Sequence, residues 1–272
     1  MQFVMEATGV YHENLAYGLY EAGARLVVEN PAKIKSHAGS LGSRNKTDKK
    51  DSFVIAHYGA TMQAKRWEPE PVEIRELKAL IARKQAIELD MQREENRLEK
   101  ASITKSSDVV YQSIESMIKV LKAQKKALET EIDRYINSNP DLKKDRQLLQ
   151  SVPGIGPVLS AIVLALLRSR SFTQATQCSA FLGLNPVVKE SGTSLHKRPR
   201  LSKMGDARIR AKLYMGAIVA IRYNPDIVQQ YERLLSNGKS KMCAIGAAMR
   251  KLVQICFGVL KHQTEYQPQG VI

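Results

Sequence analysis

Between Val72 and Asn137 the chain carries neither glycine nor proline, and charged residues dominate. Without the two residues that interrupt helices, so long a span has few alternatives to continuous helix. Seam positions alternate three and four apart in two runs: Leu77, Leu80, Lys84, Ile87, Met91, Glu94 and Leu98, then Val110, Ile114, Met117, Leu121, Gln124 and Leu128. The runs are out of phase, with residues 101–108 between them, which predicts two helices of about seven turns each, folded back or packed on another chain. The alternative is one long surface helix with a stutter. A narrow apolar seam of this length wants a partner helix, and homodimerisation through a coiled coil is its expected use.

Prolines bracket that segment. Trp67-Glu68-Pro69-Glu70-Pro71 marks the first boundary and Asn139-Pro140 the second, giving three expected domains at 1–67, 72–138 and 141–272. In the first, Phe3-Val4-Met5 reads as a buried strand ending at Glu6. Leu15, Leu19 and Tyr20 recur at helical spacing before Gly23, and Arg25-Leu26-Val27-Val28 reads as a second strand ended by Asn30-Pro31. Strand, helix, strand is a parallel βαβ unit, and functional groups of such sheets gather at the carboxyl ends of the strands, where Glu6 stands. Residues 33–45 read as a basic loop. A helix beginning near Asn45 or Thr47 then runs to about Ala64 and carries Asp48 and Asp51 on one face. Glu6, Asp48 and Asp51 together suit a hard divalent cation such as Mg²⁺, which takes oxygen ligands. The plainer reading is that Asp48 complements the helix dipole and Asp51 is solvated.

The third segment holds the most specific local signal, Ser151-Val152-Pro153-Gly154-Ile155-Gly156-Pro157 between two apolar helical runs. It reads as a helix-hairpin-helix whose glycines Gly154 and Gly156 permit close backbone approach and leave the second helix's amides facing a phosphate oxygen. The alternative is a plain αα-corner. Residues 188–203 read as a polar basic loop with Lys197, Arg198, Arg200 and Lys203, followed by a helix over 206–222 that opens with Arg208, Arg210 and Lys212. Cations at a helix start oppose the macrodipole, which predicts an external anion such as a DNA phosphate. Gly238-Lys239-Ser240 is no phosphate-binding P-loop, because no strand and no earlier glycine stand at the required offset. The helix 244–260 reads as core. The expected class is therefore α/β followed by mainly α, with an all-α C-terminal domain.

Charge sharpens the choice of partner. Lys and Arg number 42 against 27 Asp and Glu, a formal charge of +15, and so basic a surface attracts polyanions, nucleic acid first. Cys178, Cys243 and Cys256 are isolated in apolar helical sequence and read as reduced thiols, not a disulfide framework or zinc site. The longest apolar stretch, 158–167, is about half of what a membrane-spanning helix needs, so no membrane association is expected.

Seven stretches, in order along nearly the whole chain, resemble the bacterial insertion-sequence transposases of the DEDD type. They are residues 6–12 (Glu-Ala-Thr-Gly-Val-Tyr-His), 45–51 (Asn-Lys-Thr-Asp-Lys-Lys-Asp), 152–156 (Val-Pro-Gly-Ile-Gly), 181–184 (Phe-Leu-Gly-Leu), 190–194 (Glu-Ser-Gly-Thr-Ser), 202–206 (Ser-Lys-Met-Gly-Asp) and 250–252 (Arg-Lys-Leu). The resemblance implies an RNase H/RuvC-like domain, a coiled coil and a C-terminal transposase domain. It implies that Glu6, Asp48 and Asp51 are the last three members of an Asp-Glu-Asp-Asp Mg²⁺ site. The first Asp belongs on a strand preceding Glu6, so the expectation is a RuvC-like domain lacking its first strands. Ser191 is implied as the nucleophile forming a covalent phosphoserine link to DNA, with Ser194 and Ser202 as rivals. Element ends and target DNA, a structured guide RNA, a homodimer or higher oligomer, and the bacterial cytoplasm around the nucleoid complete the implied setting. Two other functions fit the residues: a non-catalytic dimeric nucleic-acid-binding protein, and a Holliday-junction-type nuclease using only the carboxylates.

Overall fold

The computed structural model describes residues 2–42, 47–191 and 195–269, with the backbone alone at 189–191 and 195–198. Strand β1 (Gln2–Glu6) pairs in parallel with β2 (Arg25–Glu29), in a register running from Gln2 opposite Arg25 to Glu6 opposite Glu29. Helix α1 (Glu13–Glu21) makes the crossover, as the alternation of apolar runs and turn residues requires. Trp67 returns to this layer, donating its backbone N–H to the Leu26 carbonyl at 2.7 Å and meeting the rings of Tyr17 and Tyr20 edge-on.

The basic loop expected over 33–45 is in large part a helix, α2 (Pro31–Ser40). Its start is conventional: the Asn30 side chain accepts from the Ala32 N–H at 2.8 Å, and Pro31 occupies the first turn, where its missing donor costs nothing. Helix α3 (Asp48–Thr61) is capped by the Thr47 hydroxyl, which accepts from Lys50 N–H. Ile34, Val54 and Tyr58 form a small core with Val4 and Ile55 packed against it. Gly59 is the point of closest approach, since a Cβ there would stand 2.3 Å from a Val4 methyl. Residues 1–70 make one compact unit and residues 71–272 another.

The second unit opens with two helices of 33 and 31 residues, α4 (Val72–Thr104) and α5 (Asp108–Ser138). They pack antiparallel: Lys84 reaches Glu129 at 2.9 Å and Lys125 reaches Glu88 at 3.6 Å, so the residue numbers climb one helix as they fall on the other. The α5 seam differs from the predicted one. Val110 and Met117 are exposed, whereas Ile118 is buried and Tyr111, Leu121, Lys125 and Leu128 are half-buried beside it. The inner face follows 111, 114, 118, 121, 125 and 128, a register in which Lys125 sets its ammonium beside the Glu88 carboxylate of α4.

Helices α6 (Pro140–Gln150) and α7 (Pro157–Arg168) flank the Pro-Gly-Ile-Gly turn. After α8 (Ala175–Phe181) the polar segment expected as a loop is an antiparallel hairpin, β3 (Pro186–Ser191) and β4 (Leu195–Leu201), irregular between Val187 and Lys189. The C-terminal unit is therefore not all-α. Helices α9 (Ala207–Tyr223), α10 (Pro225–Ser236) and α11 (Lys241–His262) complete it. α11 is long and apolar enough by composition to cross a membrane. Its apolar residues Ala248, Leu252, Val253 and Cys256 are buried in the common core with Leu149, Leu164 and Leu213.

Candidate functional site

In the N-terminal unit the acidic residues occupy element ends. Glu6 closes β1 and stands in register with Glu29, the last residue of β2. Asp48 and Asp51 both lie in the first turn of α3, Asp48 exposed and Asp51 half-buried, where their charge complements the helix dipole. Asn45 and Lys46, at the predicted helix start, lie outside the described residues. Carboxylate oxygens are the right donors for a hard cation. Among the described residues, however, no group of three or more His, Cys, Asp or Glu side chains stands together as a metal-holding cluster. As placed, Glu6, Asp48 and Asp51 are therefore not gathered into one such cluster.

A polar network the sequence did not announce joins β2, α2 and α3. Glu29 accepts the Tyr58 hydroxyl at 2.8 Å and the Asn30 N–H at 2.8 Å, and pairs with Lys33 at 3.1 Å. Burial alone would raise the Glu29 pKa, but these donors outweigh it and hold the carboxyl below its ordinary value. Burial and the same carboxylate push the Tyr58 phenol up to about 12. One turn away, the buried His37 shares a 3.0 Å Nε2···Nδ1 hydrogen bond with His57 and meets the Tyr58 ring edge-on. The histidines are twenty residues apart and on different helices, so only tertiary packing pairs them.

In the second unit the turn over 152–156 is built for close packing as well as exposure. Gly154 has φ +104°, and a Cβ on it would stand 2.7 Å from the Gly216 carbonyl and 2.8 Å from the Ala220 methyl. Gly216 is constrained in return, a Cβ there falling 2.8 Å from the Gly154 carbonyl. Gly154 is thus occupied by α9, while Gly156 is exposed and caps α7 without a side-chain acceptor. A cavity of about 240 Å³ lies between the long hairpin and the start of α7, with Lys84, Glu88, Glu129, Arg146 and Lys212 in its wall. Lys84 pairs with Glu129, Arg146 with Asp133 at 2.6 Å and Lys212 with Glu88 at 3.6 Å, so those charges neutralise one another.

The base of the β3–β4 hairpin is a backbone crossing. A Cβ on Gly183 (φ +69°) would lie 2.4 Å from the Met204 carbonyl oxygen, and one on Gly205 (φ +127°) 2.5 Å from that of Phe181. Arg210 fastens the crossing, its guanidinium donating to the carbonyls of Leu182 at 3.3 Å and Gly205 at 2.9 Å. That is a structural task where the sequence predicted a phosphate contact. Asp206 caps α9 by accepting from Arg208 N–H at 2.7 Å, supplying an internal anion at this helix start. Arg200, Lys203 and Arg208 are exposed. Ser191 ends β3, its backbone opposite Leu195. The side chains of Ser191, Lys197 and Arg198, and the whole of Ser194, lie outside the described residues.

Comparison with known proteins places these features in context. A profile of the IS116/IS110/IS902 family of transposases matches residues 146–232, and a DEDD-type transposase profile matches residues 1–101. The chain is 30% identical over 269 residues to the pilin gene-inverting protein of Moraxella bovis, covering 98% of this chain and 82% of that one. The protein of the same name from Moraxella lacunata matches to the same extent. The 43.6 kDa protein of insertion element IS110 from Streptomyces coelicolor is 27% identical over 172 residues, 62% of this chain and 41% of its own length.

Proposed function

The chain belongs to the IS116/IS110/IS902 family of transposases, which are enzymes of DNA recombination, and from that premise we propose that it cuts and rejoins DNA strands through Ser191. In the first step the serine oxygen attacks a backbone phosphorus. The P–O bond to one strand end breaks as the serine–phosphorus bond forms, and the serine proton ends on the departing hydroxyl. Attack by a hydroxyl of the recombining strand reverses the exchange and restores the serine. The phosphodiester energy is conserved in the covalent link, so no high-energy cofactor is needed. The relatives named for inverting a pilin gene support this chemistry, because inversion requires every cut strand to be rejoined.

One observation carries the assignment to the second unit: β3, which ends at Ser191, belongs to a hairpin leading through exposed Arg200 and Lys203 into α9 with Arg208. Those cations, with Gly156 at the uncapped start of α7, are the proposed DNA phosphate contacts. The N-terminal unit we assign to the RuvC-like type, on its parallel strands ending in Glu6 and the acidic first turn of α3. Glu6, Asp48 and Asp51 are its proposed Mg²⁺ residues. Exposed Ile103 and Val109 at the tip of the α4–α5 hairpin, and Val120 further along α5, support association of copies as a coiled coil. A structured RNA of the element is the proposed guide.

The test is a denaturing-gel search for a covalent protein–DNA adduct, using element ends, flanking RNA and Mg²⁺. An adduct lost in Ser191→Ala and retained in Ser194→Ala and Ser202→Ala is the expected result. Activity lost in Asp48→Asn assigns that carboxylate to the reaction, and unchanged activity removes it. DNA binding with no adduct in the wild-type chain would replace this reading with that of a non-catalytic binding protein. Cleavage that survives Ser191→Ala would replace it with a carboxylate nuclease.

A further inference from the structure

Among the described residues, the outer face of α9 is left largely exposed, and its chemistry is specific. The helix carries Arg208, Arg210, Lys212 and Arg222 and no carboxylate among its 17 residues. Its inner face, Leu213, Gly216, Ala217 and Ala220, is buried. Outside, Met215 is 61% exposed, Val219 45% and Tyr223 69%. The spacing is i, i+4 and i+8, so the three align as one apolar stripe, about 12 Å long at the helical rise. Arg208 lies exposed toward its N-terminal end and Arg222 beside Tyr223 at the other. A soluble helix usually turns such side chains inward, and α9 already has a full inner face.

We propose that this stripe receives unpaired nucleic-acid bases, with Tyr223 as the stacking ring, Met215 and Val219 as the apolar floor, and Arg208 and Arg222 taking the backbone phosphates. Charge argues for the occupant. Two copies meeting symmetrically through this face would bring together the exposed Arg208 and Arg222 of each, four guanidinium groups, with only the Asp206 carboxylate 3.7 Å from each Arg208 to offset them. Intact duplex offers phosphates, which the cations suit and the apolar centre does not. A strand with its bases turned out offers both surfaces at once, and stacking on aromatic rings tolerates any sequence. At roughly 3.4 Å per stacked nucleotide, the stripe matches about three bases.

The inference rests on the recombination reading, because exchange of strands requires bases to leave their own duplex. Its test does not depend on catalysis. The full chain is titrated with a fluorescent 12-nucleotide single strand bearing 2-aminopurine, and with the corresponding duplex. The expected result for Tyr223→Ala is a roughly tenfold loss of single-strand affinity with recovery of 2-aminopurine fluorescence, recovery of binding in Tyr223→Phe, and less than about a twofold change on duplex. Equal losses on both substrates would overturn the proposal, as would unchanged quenching in a Met215→Ser, Tyr223→Ala double variant. So would a wild-type chain that does not bind the single strand, or sedimentation showing that Tyr223→Ala only dissociates copies. If the Ser191 adduct fails while base quenching persists, the recombinase reading falls and this surface stands.

Discussion

The two compact units are held by different forces. In residues 71–272 a continuous apolar cluster runs from Ile74 to Val259 and takes in residues from every helix of the unit. In residues 1–70 the corresponding cluster is Ile34, Val54 and Tyr58 with a few partly buried neighbours. A small unit buries too little apolar surface to rest on it alone. It compensates with directional contacts: Glu29 to Tyr58 and Lys33, His37 to His57, and the Thr47 and Asn30 caps.

Three substitutions sharpen or break that contrast. Leu164→Ala, at a fully buried position in α7, is expected to cost roughly 2–5 kcal/mol and to lower the urea midpoint of the second unit's transition. A loss below about 1 kcal/mol would mean that the helical core repacks easily, and the contrast would fail there. Tyr58→Phe keeps the ring and removes one hydroxyl bonded to a carboxylate, for an expected loss of about 1.5–3 kcal/mol in the first unit. The pH dependence follows with a definite sign. Glu29 titrates below its ordinary 4.5 when folded, so its contribution is complete above that value and is lost as acid approaches the depressed one. Tyr58 titrates near 12 instead of 10, so its contribution is complete below pH 10 and is lost as pH rises through 12. Thermal melts of wild type should weaken at both extremes. Tyr58→Phe should flatten the alkaline limb, and an unaltered limb would exclude this pair as its cause. The smallest effect belongs to Thr47→Ala, which removes the cap of α3 for about 1 kcal/mol, read as faster hydrogen exchange in the turn at 48–51.

What the sequence revealed followed the range of the interaction concerned. The two long helices were legible because helix depends on neighbours and no Gly or Pro intervened. The parallel strand pair was legible from two apolar runs and a Gly turn. α2 is hidden in the sequence because Asn30-Pro31 reads as the end of a strand and equally as a capped helix start. The β3–β4 hairpin is not legible because cations and a proline (Pro199) hide any apolar alternation. Among the site residues, the charge of Arg210 marks it in the sequence as a phosphate contact. Its two carbonyl partners belong to Leu182, far away in sequence, and to Gly205, and a one-dimensional pattern does not reveal them. The histidine pair failed to register for the same reason. A usable signal did exist for the crossing at Gly183 and Gly205: each glycine lies beside a segment rich in basic and apolar residues, where side-chain-free contact is the remaining use for it.

The reciprocal seat of Gly154 and Gly216 has a mechanical consequence. Side chains act as springs between packed elements, and here the turn after α6 and the helix α9 meet through the backbones of Gly154 and Gly216, with the short Ala220 methyl against Gly154. Little stands between them to absorb a push. A ligand that touches the exposed start of α7 and the outer stripe of α9 therefore meets a stiff caliper whose jaw spacing is set by backbone contact. It must deform to that gauge itself, since the protein has little give there to offer.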